Sequence, residues 1–88
     1  MAWNIKFEPG ADKALDKFDP QISRRVLKFL YTRVAALENP RSIGEALTGP
    51  LGNYWKYRVG DYRIICDIQD GIITILVLEV GDRKQVYR

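Results

Sequence analysis

The chain opens with strict alternation. Trp3, Ile5 and Phe7 are separated by Asn4, Lys6 and Glu8, the period of a strand with one buried face. Pro9-Gly10 ends that run. The period then becomes helical. Ala11, Ala14, Leu15 and Phe18 recur on one side, with Asp12, Lys13, Asp16 and Lys17 on the other. Asp19-Pro20 reads as an N-cap followed by proline at the first helical position. A second helix follows, with Ile22, Val26, Phe29, Leu30, Val34 and Leu37 as its apolar stripe. Arg24, Arg25, Lys28 and Arg33 fall on its solvated side, and Asn39-Pro40 stops it.

Residues 39–52 hold two prolines, three glycines and little periodicity. They read as a loop with a short turn of helix around Glu45 to Leu47. Three strands close the chain. Tyr54 to Val59 meets Tyr62 to Ile68 across Gly60-Asp61, where glycine in first place fits a type II′ turn. Asp70-Gly71 predicts a type I′ turn into a last strand, Ile72 to Val80. Two helices between the first and second strands predict an antiparallel first pair. The expected fold is α+β, strand–helix–helix–strand–strand–strand, in one domain spanning 1–88. Its sheet is mostly antiparallel, with a helical hairpin on one face and the other face open.

Composition narrows the function. At 88 residues and 47% hydrophobic the chain can build one core. A single cysteine, Cys66, rules out an internal disulfide and reads as a small buried hydrophobe. There is no histidine to activate it, or to serve as an acid or base. No apolar run is long enough to span a membrane, and the N-terminus lacks the plan of a signal peptide, so a cytoplasmic protein is expected. The net charge of +3 favours an anionic partner only if the cations cluster.

Period two says where they cluster. In the second strand Trp55, Tyr57 and Val59 form the core set, so Lys56 and Arg58 point to the open face. In the third strand Ile64, Cys66 and Ile68 are the core set, which puts Arg63 on the open face with Ile65 and Asp67. Arg83 follows the last strand and reaches the same surface if Gly81 turns the chain inward. Two positive charges ~7 Å apart on one strand face repel by about 2.4 kcal/mol at an effective dielectric near 20. Asp67 is the obvious local counter-charge. The crowding readies Lys56 to act as a general base.

Three fragments carry a resemblance: Trp55-Lys56-Tyr57-Arg58, Gly60-Asp61-Tyr62-Arg63, and Gly81-Asp82-Arg83 with Val86-Tyr87. In this order, after a Leu-Thr-Gly-Pro-Leu approach, they resemble the RelE family of toxins in the RelE/ParE superfamily. The resemblance covers nearly the whole chain. It implies a metal-independent endoribonuclease that cuts mRNA in the ribosomal A site, with Lys56, Arg58, Arg63, Arg83 and Tyr87 as site residues. It implies a cognate antitoxin and no cofactor. Arg58 stands where studied relatives carry a second lysine, and Asp82 where many carry histidine. The alternatives are a ParE-like toxin that poisons gyrase by binding, and an inactive module that only holds its antitoxin.

Overall fold

A computed structural model of the chain describes residues 2–47 and 52–82. Strand β1 (Asn4–Phe7) leads into α1 (Pro9–Lys17). Pro9 stands in the first turn of α1, where its missing N–H leaves no bond unmade. Helix α2 (Pro20–Lys28) starts where the sequence predicts, and the Asp19 carboxylate accepts the Gln21 amide N–H at 2.9 Å. It does not run on regularly to Leu37. From Phe29 to Val34 the backbone widens into a π turn, with the Ala35 N–H bonded to the Leu30 carbonyl at 2.9 Å. The wider turn keeps Leu30 and Val34 fully buried and leaves Tyr31 53% exposed.

The sheet has five strands in the order β1-β5-β4-β3-β2. Strand β2 is Glu45–Ala46, β3 is Trp55–Val59, β4 is Tyr62–Gln69 and β5 is Thr74–Asp82. The mostly antiparallel α+β architecture is as the sequence predicts, with four corrections of detail. First, β1 pairs with β5 and the pair is parallel, from Asn4 opposite Thr74 to Phe7 opposite Val77. The helices do not simply cancel each other's direction. The Trp3 N–H bonds to the Ala35 carbonyl at 2.9 Å, so α2 and its π turn return the chain to the starting end of β1. They act as one crossover connection, which makes a parallel pair.

Second, Glu45–Ala46 is strand, not helix, and the helical turn lies earlier, at Pro40–Ser42. Glu45 pairs with Lys56 and Ala46 with Trp55, giving β3 a short outer neighbour. Third, Asp70-Gly71 is not a two-residue turn. A 3₁₀ turn covers Asp70–Ile72, and Ile73 takes the left-handed conformation at φ 47°. The hydroxyl of Thr74 donates to the Ile72 carbonyl at 2.9 Å, and β5 starts at Thr74. Fourth, β5 does not end before Gly81. Gly81 and Asp82 still pair with Arg63 and Tyr62. The Gly60-Asp61 turn has the signs of type II′, with Gly60 at φ 60° and Asp61 outside the positive region.

One face of the sheet packs on the helices. Tyr57, Val59, Ile64, Cys66, Ile75, Val77 and Val80 meet Leu15, Val26, Leu30 and Val34 in a single core. Cys66 is free and fully buried, and burial, with the Asp67 charge beside it, pushes its thiol far above the ordinary range. A neutral, enclosed thiol is a poor nucleophile. A disulfide reagent is therefore expected to leave Cys66 unmodified in native buffer and to titrate one thiol in denaturant. Rapid reaction of the native protein would contradict this packing. Among the described residues no helix is long and apolar enough to cross a membrane.

Candidate nucleic-acid interface

The site is built on the β3–β4 hairpin. Its register sets Arg58 directly opposite Arg63, and Lys56 opposite Ile65. Tyr57 faces Ile64 between them and is buried in the core. Alternation then places Lys56, Arg58 and Arg63 on the face that the helices leave uncovered. Like charges directly opposed across a ladder are destabilising. A bulge on β5 lies nearby: Ile65 opposes Glu79 and Cys66 opposes Val77, so Leu78 is the extra residue. Bulges bend a strand and sharpen its twist, here next to the end that carries Arg63.

Beyond the backbone, the three side chains enter three surroundings. Lys56 leans towards β2, and its Nζ meets Glu45 Oε1 at 2.8 Å. The Lys56 side chain is only 14% exposed, against 63% for Glu45. Arg58 is exposed and lines a groove of about 390 Å³ with Arg25, Lys28 and Arg33 of the helical layer. Arg63 is half-buried and lines a wider cleft of about 970 Å³ with Lys13 and Lys17 of α1, and with Glu79 and Asp82. The hairpin thus presents Arg58 to one groove, Arg63 to another cleft, and Lys56 to the edge strand β2. Arg83 and Tyr87 lie outside the described residues.

Glu45 is the functional neighbour that pattern reading missed. Asp67, the expected counter-charge, instead accepts a hydrogen bond from the Gln69 side-chain amide at 3.1 Å. Glu45 reaches Lys56 because residues 40–46 are strapped to β3. The Tyr57 hydroxyl donates to the Pro40 carbonyl at 2.6 Å, and the Trp55 indole N–H donates to the Ile43 carbonyl at 2.7 Å. No periodicity marks a two-residue strand. The signal available in the sequence was Gly44, at φ 80° the residue that turns the chain onto β3. The Glu45 carboxylate thus occupies Lys56 Nζ at 2.8 Å.

A family model for the ParE toxin of type II toxin–antitoxin systems, parDE, matches residues 5–87. The chain belongs to this RelE/ParE toxin family. Toxin RelG of Mycobacterium tuberculosis is 28% identical to this toxin over 88 residues, which is 100% of this chain and 99% of that protein. A chain of the toxin–antitoxin complex RelBE2 from the same organism superposes with a TM-score of 0.86 at 26% identity, covering 94% of this toxin and 93% of that chain. A chain of the archaeal RelE–RelB complex from Pyrococcus horikoshii gives 0.72 at 27% identity, with coverage of 97% and 99%.

The Glu45–Lys56 pair gives the toxin an acid-sensitive fastening. The hydrogen bond from Lys56, then its charge, then the charge of Arg58 hold the Glu45 carboxyl below its ordinary value. A carboxyl depressed in the folded state adds stability above its unfolded value of about pH 4.3, and that stability is lost as pH falls through the folded value. Asp70, bound in bidentate fashion by Arg41 at 2.9 and 3.0 Å, is depressed in the same direction. Glu45→Gln is expected to narrow the gap between urea midpoints at pH 7 and pH 3. A gap equal to that of the wild type would show that the pair contributes nothing.

Proposed function

We propose that this toxin is an endoribonuclease that cleaves mRNA, in the ribosomal A site, by attack of a 2′-OH on the adjacent phosphate. The observation that carries the proposal is the direct opposition of Arg58 and Arg63 in the β3–β4 ladder, with Lys56 two residues along the same strand as Arg58. Kinship with proteins named RelG and RelE supports it.

In this reading Lys56 leaves Glu45 and gives its proton to solvent water, and the neutral amine, alone or with Tyr87, then accepts the 2′-OH proton. The 2′-oxygen bonds to phosphorus as the bond to the 5′-oxygen breaks. One product carries a cyclic phosphate and the other a 5′-hydroxyl. Arg58 and Arg63 stabilise the charge that builds on the non-bridging oxygens, as preorganised donors do. Arg83 neutralises the leaving oxygen, with water as the proton donor, because a guanidinium gives up its own proton reluctantly. Tyr87 orients a base by stacking. The mechanism needs no metal, and the carboxylates of the described residues form no group of three that could hold one.

The partner in this proposal is an antitoxin that covers or displaces part of the site. Solved relatives are toxin–antitoxin complexes. The test is primer extension on ribosome-bound mRNA with a substrate copy carrying 2′-deoxy at the cut position. Native mRNA should be cut and the deoxy copy left whole. Cleavage of the deoxy copy would end the mechanism.

A second reading follows from the name of the matching family model, ParE toxin. A ParE-like toxin would poison gyrase by binding. It would keep its growth arrest when Arg63 and Arg83 are replaced by Ala, whereas the nuclease would lose it.

A further inference from the structure

The groove beside the hairpin is more strongly cationic than an open helix surface requires. Arg25, Lys28 and Arg33 line it from α2 and the π turn, and Arg58 lines it from β3. No carboxylate is among its lining residues. Neither the Arg41–Asp70 nor the Lys56–Glu45 salt bridge involves any of these four cations. Their guanidinium and ammonium groups therefore share one concavity whose lining carries no carboxylate. The groove is also built into the fold. The Arg25 guanidinium lies over the hairpin turn, 3.2–3.4 Å from the point where a Cβ on Gly60 would stand.

The shape suits an extended anion. Arg25 and Arg33 are eight positions apart, or about 12 Å along a helix, too far for one small phosphate to bridge. The apolar part of the wall offers no anchor for a peptide side chain. Val59 is only 7% exposed, and the Phe29 ring is engaged edge-on with Tyr57 at 5.9 Å. Peptide recognition draws on such anchors. Phe29 is likewise committed to the core and makes no free platform for a base. What remains is charge spaced along a line, which reads a nucleic-acid backbone and not its sequence.

We infer that this groove binds the RNA strand flanking the cleavage position through its phosphates, with Arg58 as the residue shared with the cutting site. The inference rests on the proposed ribonuclease reading and extends it. It predicts that the strand leaves the sheet face around the outer edge of β3 and follows α2.

The test is binding of a fully 2′-O-methyl RNA, which cannot be cut, by wild type and by a R25Q/K28Q/R33Q variant. Fluorescence anisotropy is read across a salt series, with urea midpoints to verify folding. Each lost single-strand phosphate contact lowers the slope of log affinity against log salt by about 0.7, so the triple variant should lose about 2. A folded triple variant with the wild-type slope overturns the groove and leaves the ribonuclease reading standing. No RNA binding by wild type overturns both. An unchanged slope, together with lost capture of an acidic peptide, would assign the groove to a protein partner instead.

Discussion

Arg63→Ala is expected to slow RNA cleavage by about 100- to 1,000-fold, the loss typical of one preorganised donor to a developing oxyanion, or about 2.7–4 kcal/mol of barrier. Arg63 stands opposite both Arg58 and Gly81, between β3 and β5, and is half-buried. Gly81 brings no side chain to that position, and Arg63 lines the cleft beside α1. Arg63→Lys separates charge from geometry. It keeps the positive charge and loses the planar fork, so it should recover only a small part of the rate. The measurement is single-turnover cleavage of ribosome-bound mRNA, with urea midpoints showing that each variant is folded. A folded Arg63→Ala protein that cuts at the wild-type rate would remove Arg63 from the site.

Gly44→Ala should give the largest loss of stability among the substitutions considered, on the order of 3 kcal/mol or more. Two effects combine. Gly44 has φ 80°, where a Cβ is strained in any surroundings. That Cβ would also stand 2.5 Å from the Lys56 carbonyl oxygen and 2.7 Å from the Trp55 Nε1. The first of these is backbone in the middle of a ladder and cannot step aside. The strap would have to lift from β3, breaking the Trp55–Ile43 hydrogen bond and separating Glu45 from Lys56. A domain of ordinary stability has about 5–15 kcal/mol in hand, so the fold should survive in weakened form. Gly10→Ala is the control. It lies in α1 with nothing within 4 Å of its would-be Cβ, and should be neutral or slightly stabilising. Equal urea midpoints for the two variants would refute the close approach of the strap.

What could be seen in the sequence divides along the range of the forces involved. Alternation in Trp3–Phe7 and Trp55–Val59, the Asp19-Pro20 start and the Gly60-Asp61 turn are local, and each is found where the pattern places it. Parallel pairing of β1 with β5 depends on where the chain arrives after the helices. That was set by the Trp3–Ala35 hydrogen bond, a contact between distant residues. Strand β2 is two residues long, too short for any period, and exists because Gly44 turns it onto β3. The site divides in the same way. Lys56, Arg58 and Arg63 follow from period two and one hairpin register. Glu45 does not, since its role depends on a long-range strap. Arg25, Lys28 and Arg33 read as an ordinary solvated face until Arg58 is seen to close the groove from the opposite side.

The parallel pairing also sets when the sheet of this toxin can close. Residues 4–7 find their partners only at 74–77. Closing so long a loop is entropically costly and waits on contacts far apart in sequence. A polypeptide still emerging from the ribosome holds β1 without its neighbour, whereas the β3–β4 hairpin that carries Arg58 and Arg63 pairs locally. The five-stranded sheet can therefore close only once β5, Thr74–Asp82, has been made.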